Sequence, residues 1–250
     1  MKAVVTGASS GIGRDIARVL SERGYELILI ARRESYLLEL KSTLKTSCEI
    51  FVCDLTSKEE CLKLCSVFED EDIDIFVNNA GFGLCGDFSQ TDLDTELDMI
   101  DLNVKAVHIF TKFFAKKFHA SQKGFILNVA SSAAFLPGPF MATYYATKSY
   151  VLRLSQSIDE ELKHKKSKAY VSVLCPGPVK TEFDKVANVS FSMNGLESEY
   201  VAEYAVEKAL AGKRVIIPGI LMKISRALCK ILPDFLLSKV AAKIQKRKIK

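Results

Sequence analysis

At 250 residues the chain suits one large α/β domain that can bury a substantial core. Its 48% hydrophobic and 26% charged content is that of a soluble globular protein, and seven cysteines without disulfide or zinc-ribbon spacing exclude a small disulfide scaffold. The net charge of +5 is unevenly placed: from Ile220 onward nine basic residues meet the single acid Asp234, so the first 219 residues carry 26 basic and 29 acidic side chains.

In chain order, apolar runs of strand length fall at 2–6, 26–31, 48–53, 73–78, 123–130, 169–175 and 214–217. Helical patterns lie between them near 12–22, 34–45, 57–69, 92–120, 142–164 and 198–210. This alternation predicts βαβ units and a seven-stranded parallel sheet with helices on both faces. With right-handed crossovers the result is a doubly wound (Rossmann) α/β fold that binds ligands at the carboxyl ends of its strands. No internal repeat or Pro/Gly/Ser linker divides the chain.

The first strand runs straight into Gly7-Ala8-Ser9-Ser10-Gly11-Ile12-Gly13, followed by a helical pattern from Arg14. Strand, glycine turn and helix form the phosphate cradle of a dinucleotide-binding unit. Glycine lets the backbone approach a pyrophosphate, and the helix N-terminus offers free N–H groups and a positive dipole end. Apolar character begins at Ala3 with the glycine loop close behind, so no signal peptide is expected.

Further along, Cys61 and Cys65 share a helix face, but no nearby histidine pair completes a metal site, and thiols without metal are expected. His108, His119 and His164 are scattered, as helix-surface residues would be. Residues 131–148 hold the chemistry. Tyr144 and Lys148 stand at i and i+4 on one helix face, where their polar ends can converge. A phenol titrates near pH ~10, and a neighbouring ammonium favours the phenolate. Such a tyrosine can exchange a proton with a carbonyl oxygen that is receiving a hydride. Tyr145, at i to i+3 from Lys148, competes for this role, as Ser132 competes with Ser131.

Together these motifs resemble the short-chain dehydrogenase/reductase family along the whole chain. Thr6-Gly7-Ala8-Ser9-Ser10-Gly11-Ile12-Gly13 is similar to its Thr-Gly-x-x-x-Gly-x-Gly loop, and Asp54, beside Leu55, sits where the family contacts adenine. Asn78-Asn79-Ala80-Gly81 matches its Asn-Asn-Ala-Gly signature, and Asn103 falls at its catalytic asparagine. Ser131, Tyr144 and Lys148 complete the implied tetrad, and Pro176-Gly177-Pro178-Val179-Lys180-Thr181 resembles the segment that holds the nicotinamide. The wording of 133–139 and 175–178 is closest to the bacterial DltE-like subgroup, which implies no general substrate. The resemblance implies that Ser131 orients the substrate oxygen, Tyr144 is the general acid/base, and Lys148 holds the nicotinamide ribose and lowers the tyrosine pKa. It also implies that Asn103 positions a water and that long helices near 103–120 and 142–164 build a homo-dimer or tetramer. Residues 1–219 are then the dinucleotide-binding and catalytic domain, with 220–250 packed on it.

Strand two ends Ile30-Ala31-Arg32-Arg33, with no acid until Glu34. NAD-binding folds place an acid there for the ribose 2′-hydroxyl, whereas guanidinium suits a 2′-phosphate. NADP(H) is the expected cofactor, with Arg32 its chief contact and Ser9 and Arg33 assisting. NAD(H) is the alternative, in which the arginines simply begin a solvated helix.

The pocket is expected to be walled by Phe82, Phe88, Phe135, Leu136, Phe140 and Met141, and by Phe183, Val186, Val189, Phe191, Met193 and Leu196. Such walls suit a small apolar ketone, aldehyde or secondary alcohol. The segment from Ile220 sets Leu221, Ile224, Leu228, Ile231 and Leu232, then Phe235, Leu236, Val240 and Ile244, against a lysine-rich face. It is too interrupted by charge to span a bilayer. It suits either a helix packed over the substrate entrance or one lying on an anionic membrane. A nucleic-acid partner is not expected, because the basic residues lack interleaved aromatics. The reduced cytoplasm is the expected compartment. A catalytically idle dinucleotide sensor or a membrane adaptor is the alternative function.

Overall fold

Side-chain alternation along the strands decides which helices cover each face of the sheet. On β1 (Lys2–Thr6), Ala3 and Val5 point to one side and Val4 to the other. The same split recurs on β2 (Glu26–Ala31), where Leu27 and Leu29 oppose Ile28 and Ile30. Both sides are apolar, so both need a cover. A computed structural model describes residues 1–187 and 195–246 and shows where that cover comes from.

One face is closed by α1 (Gly11–Glu22) and α2 (Glu34–Thr43), which bury Ile16, Leu20, Leu37 and Leu40. The other is closed by α3 (Lys58–Val67) and by a long helical run made of α4 (Leu93–Ile100), a π-helical turn (Asp101–Ala106) and α5 (Val107–Ser121). Ser57 and Asp92 cap α3 and α4, accepting from the Glu60 and Thr95 amides at 3.2 and 2.8 Å. A phenylalanine cluster fills this second face. Phe114 lies 4.0 Å from Phe76 in a stacked pair and also meets Phe68, Phe113 and Phe118.

The remaining strands are β3 (Cys48–Val52), β4 (Ile75–Asn78), β5 (Phe125–Val129) and β6 (Tyr170–Leu174). A short pair, β7 (Val179–Lys180) and β8 (Leu196–Glu197), stands apart from the main sheet, and β9 (Val215–Ile216) completes it. All seven strands of the main sheet are parallel, in the order β3-β2-β1-β4-β5-β6-β9. The predicted doubly wound fold is therefore the observed one. Its order reverses between β1 and β4, where such sheets open a crevice at their carboxyl ends.

A 3₁₀ turn (Ser132–Phe135) follows β5 and leads to α6 (Ala142–His164). Beyond β7 come α7 (Phe183–Val186) and α8 (Ser198–Leu210), the latter adding Val201 and Ala205 to the first face. The C-terminal segment forms α9 (Ile220–Cys229) and α10 (Asp234–Lys246), broken at Pro233, which cannot donate a helical hydrogen bond. No described helix is long and apolar enough to cross a membrane. All seven cysteines are free thiols, and burial pushes Cys61 and Cys65 up to about 12 and about 11.

Because Phe114 is fully buried at the centre of its cluster, Phe114→Ala is expected to cost about 3–5 kcal/mol. Urea unfolding followed by circular dichroism measures this. A loss below about 1 kcal/mol would show that the cluster collapses to fill the space.

Candidate active site

The crevice between β1 and β4 opens into a cavity of about 550 Å³. Its floor is the glycine loop, held by a compact set of hydrogen bonds. Thr6 Oγ1 donates to the Val77 carbonyl at 3.1 Å and accepts from the Asn79 and Ala80 amides at 2.9 and 3.1 Å. Asn79 Nδ2 donates back to the Thr6 and Gly7 carbonyls at 3.0 and 3.1 Å. Gly7 has φ +63°, and a Cβ there would stand 2.8 Å from Ala80 Cα. Gly13 lies behind the loop rather than on the cavity wall, where a Cβ would come within 2.5 Å of the Gly7 carbonyl. The other predicted cofactor residues, from Gly7 to Thr181, line the cavity.

Ser131, Tyr144 and Lys148 meet on its inner wall. The Ser131 hydroxyl stands near enough to Tyr144 to favour its ionised form, and Ser131 Oγ accepts from the Ala133 amide at 3.1 Å. Lys148 Nζ donates to the Val129 carbonyl at 3.0 Å and lies 5.8 Å from the centre of the Tyr144 ring. Tyr145 and Ser132 line the cavity as well. Tyr145 turns to the C-terminal helix, where its hydroxyl accepts from Gln245 Nε2, and Ser132 uses its amide to hold the Pro176 carbonyl at 2.7 Å.

The acidity of the tyrosine runs opposite to the sequence expectation. Burial raises Tyr144 above its ordinary value, the Ser131 hydrogen bond opposes this, and Lys148 contributes no resolved lowering. Burial also lowers Lys148 to about 8, with Cys175 opposing. Both shifts have one cause, since a dry wall disfavours the charged form of either group.

Asn103 is fully buried within the π-helical turn, behind the wall rather than on it. Its Nδ2 donates to the Phe82 carbonyl at 2.8 Å and to Thr147 Oγ1 at 3.2 Å, while Oδ1 accepts from the Phe82 amide at 3.1 Å. The side chain therefore clamps the segment after β4 to α6. Gly81 makes room for it, because a Cβ there would stand 2.7 Å from Asn103 Oδ1 and 3.3 Å from Lys148 Nζ.

At the end of β2 the two arginines have different neighbours. Arg33, not Arg32, reaches Ser9, donating to its Oγ from Nη2 at 3.2 Å and pairing with Glu182 at 3.0 Å. Its guanidinium also stacks 4.2 Å from the Tyr36 ring. Arg32 remains 67% exposed, 3.6 Å from Asp54.

Of the predicted wall, Phe82, Leu136, Met141 and Phe183 line the cavity, while Phe88, Phe135, Phe140 and Leu196 do not. Phe88 is exposed, Phe135 lies under Arg226, and Leu196 belongs to β8. Val189, Phe191 and Met193 fall outside the described residues, as does the side chain of Val186. Met222, Ser225, Ile244 and Gln245 bring α9 and α10 onto the cavity, in line with the expectation of a helix over the substrate entrance, although Met222, Ser225 and Gln245 were not singled out by the sequence. Only the apolar periodicity of the tail pointed towards them.

The short chain dehydrogenase family profile matches residues 1–190. The chain belongs to that family. It is 36% identical over 173 residues to the very-long-chain 3-oxoacyl-CoA reductase of Kluyveromyces lactis, covering 64% of this chain and about half (50%) of that relative's length. An uncharacterized oxidoreductase of Staphylococcus epidermidis is 33% identical over 207 residues, covering 82% of this chain and 88% of that one. Among solved structures, a short-chain dehydrogenase from Sphingobium yanoikuyae in complex with NADPH superposes with a TM-score of 0.81 at 28% identity, over 93% of this chain and 96% of that one. The bulky-bulky ketone specific alcohol dehydrogenase from Comamonas testosteroni gives 0.78 at 27% identity, over 93% and 94%. A family member from Burkholderia phymatum in complex with NAD shares the fold at 0.82 and 22% identity, over 90% and 91%.

A nicotinamide dinucleotide, which the short-chain dehydrogenase fold binds, fits this cleft. The first turn of α1 carries no acid, and its N-cap Ser10 makes no side-chain bond to the helix amides, leaving them for a phosphate. Gly11, at φ +54°, keeps the loop open, since a Cβ there would stand 3.0 Å from Thr181 Cγ2.

The buried lysine gives this dehydrogenase a measurable stability signature. Below about pH 8 Lys148 is charged in folded and unfolded chains alike, so the folded state carries the full desolvation cost. Between about 8 and the ordinary 10.5 the folded lysine loses its proton first, and the cost fades. Lys148→Met is therefore expected to exceed the parent in stability at pH 7, by on the order of 1–3 kcal/mol, with the difference shrinking towards pH 10. Urea titrations of both proteins at the two pH values test this. An equally stable or weaker variant at pH 7 would contradict it.

Proposed function

We propose that this short-chain dehydrogenase is an NADP(H)-dependent oxidoreductase that interconverts an apolar ketone or aldehyde with its alcohol, with Tyr144 as general acid and base. The observation that carries the reading is the meeting of Ser131, Tyr144 and Lys148 on the wall of a cleft that fits a dinucleotide, with Lys148 Nζ 5.8 Å from the centre of the Tyr144 ring. When bound, the nicotinamide supplies or accepts the hydride at the carbonyl carbon. Ser131 holds the substrate oxygen against Tyr144. A phenol whose acidity burial has weakened keeps its proton until a stronger base develops beside it, and an alkoxide is such a base. Lys148, with Tyr144, would hold the nicotinamide ribose. Asn103 keeps the segment from Gly81 to Phe82 and α6 in register, completing the tetrad implied by the family. Gly7, Ser9, Ser10, Gly11 and Ile12 would receive the pyrophosphate side, Asp54 and Leu55 the adenine, and Pro176 to Thr181 the nicotinamide.

The missing acid at the end of β2 supports NADP(H), as does Arg33 donating to Ser9 Oγ beside the exposed Arg32. The NADPH complex at 28% identity agrees with it. Phe82, Leu136, Met141, Phe183 and Met222 give the cleft its apolar lining and support an apolar substrate, in line with the bulky-ketone enzyme at 27% identity. The wording of 133–139 and 175–178 supports the bacterial DltE-like subgroup within this reading, without adding a substrate. The same reading makes it a homo-dimer or tetramer of the reduced cytoplasm, consistent with its seven free thiols.

Two experiments test the proposal. Tyr144→Phe is expected to lower kcat for NADPH-dependent reduction of bulky ketones by about 10²–10⁴. Tyr145→Phe should stay within about tenfold of the parent, below the about 10²-fold lower edge of such acid–base effects. Loss of turnover in Tyr145→Phe alone would overturn the assignment. In the cofactor comparison, NADPH should be preferred, and Arg33→Ala should raise KM for NADPH by at least about tenfold while leaving KM for NADH nearly unchanged. A clear NADH preference would defeat the NADP(H) assignment.

A further inference from the structure

Helix α9 is built the wrong way round for a helix that only packs on its own domain. Its strongest apolar residues, Leu221, Ile224 and Leu228, recur at i, i+3 and i+7 and face solvent. Met222, Ser225 and Cys229 occupy the inner side, and no residue of α9 is fully buried. The exposed stripe continues through Ile231 at 79% and Phe235 at 61% exposure onto α10. Across both helices ten large apolar side chains are at least 40% exposed. A patch of this kind marks an interaction surface.

The charges around it select the partner. Lys223, Arg226 and Lys230 repeat at i, i+3 and i+7 on the side of α9 away from the stripe, while Lys239, Lys243 and Lys246 stand beside the exposed apolar residues of α10. Asp234 is the only acid among them. A second copy docking face to face across a two-fold axis would set each basic cluster against its own duplicate. An acidic protein would satisfy the lysines and leave the long apolar stripe without a counterpart. A bilayer with anionic headgroups satisfies both, because aliphatic side chains enter the acyl boundary while lysines reach the headgroups. We propose that the outer face of α9 and α10 is a docking surface for an anionic lipid membrane, on which the protein lies without spanning it.

Met222 and Ser225 of α9 and Ile244 of α10 line the cleft, so docking sets the cavity mouth beside the lipid. An apolar carbonyl compound could then enter from the bilayer. That consequence rests on the proposed carbonyl chemistry, whereas the docking itself does not.

The test uses the full chain and vesicles of phosphatidylcholine, with or without phosphatidylglycerol at about one lipid in three, a strongly anionic surface. The parent should sediment with the anionic vesicles and not with the neutral ones, and added salt should release it. Ile224→Asp combined with Leu228→Asp should abolish sedimentation. Lys239→Glu combined with Lys243→Glu should weaken it by at least about tenfold. None of these four residues lines the cleft, so turnover in solution should survive in both variants. The chain contains no tryptophan, so Leu228→Trp is a clean reporter that keeps the stripe apolar; its emission should shift to the blue when anionic vesicles are added. No sedimentation with anionic vesicles, equal sedimentation with neutral ones, or an unshifted Leu228→Trp spectrum would each overturn the proposal. So would light scattering that shows a stable oligomer which the aspartate pair splits into monomers, since the stripe would then belong to a second copy.

Discussion

The carboxamide of Asn79 spans the point where the sheet reverses its order. One nitrogen serves the Thr6 and Gly7 carbonyls, and the hydroxyl of Thr6 answers by accepting from the amides that follow β4. Without this clamp β1 and β4 would still pair through Ala3, Val4 and Val5, but nothing in that ladder fixes the loop beyond it. Gly7 and Gly13 are small because Asn79 fills the space where their side chains would go. The phosphate loop, the entry to α1 and the segment leading to Gly81 thus form one rigid body, and the cavity takes its shape from it.

A second polar chain does for the catalytic wall what Asn79 does for the floor. Asn78 Nδ2 donates to Asn128 Oδ1 at 2.8 Å, and Asn128 Nδ2 to Ser155 Oγ at 2.9 Å, all fully buried between β4, β5 and α6. Ser155 lies seven residues after Lys148, two turns further along the same helix face. Buried polar groups that are fully paired define one register, since a slip would leave several of them unsatisfied. Fixing α6 in this way sets where Tyr144 and Lys148 stand relative to Ser131 and holds a lysine in a place that works against its charge.

Much of this was legible in the sequence, because strand length and glycine punctuation are local signals. The apolar runs at 26–31 and 123–130 became β2 and β5, and the glycine loop fell at the sheet reversal, as a parallel sheet requires. What stayed hidden depends on packing between distant segments. The π-helical turn that carries Asn103 has no composition that marks it, and nothing local distinguishes Arg33 from Arg32 until Ser9 and Glu182 are in place. The direction of the Tyr144 shift was misread for a related reason. Spacing shows that a lysine is near, but not that the wall around both groups is dry, and here burial outweighs the charge.

The adjacent tyrosines show how far apart in the chain contacting residues can lie. Successive positions on a helix point about 100° apart, so Tyr144 and Tyr145 cannot both face Ser131. Local spacing leaves either one within reach of Lys148. Gln245, one hundred residues downstream, donates from its buried amide to the Tyr145 hydroxyl and ties α10 to the rim of the cleft. Its carbonyl oxygen has no partner among the described residues. A buried acceptor left unpaired costs stability, so the contact is held by the packing of Leu237 and Ala241 on the same helix face. The C-terminal segment is therefore part of the cavity wall: it supplies lining residues, holds the Tyr145 hydroxyl through Gln245, and turns its remaining apolar surface outward.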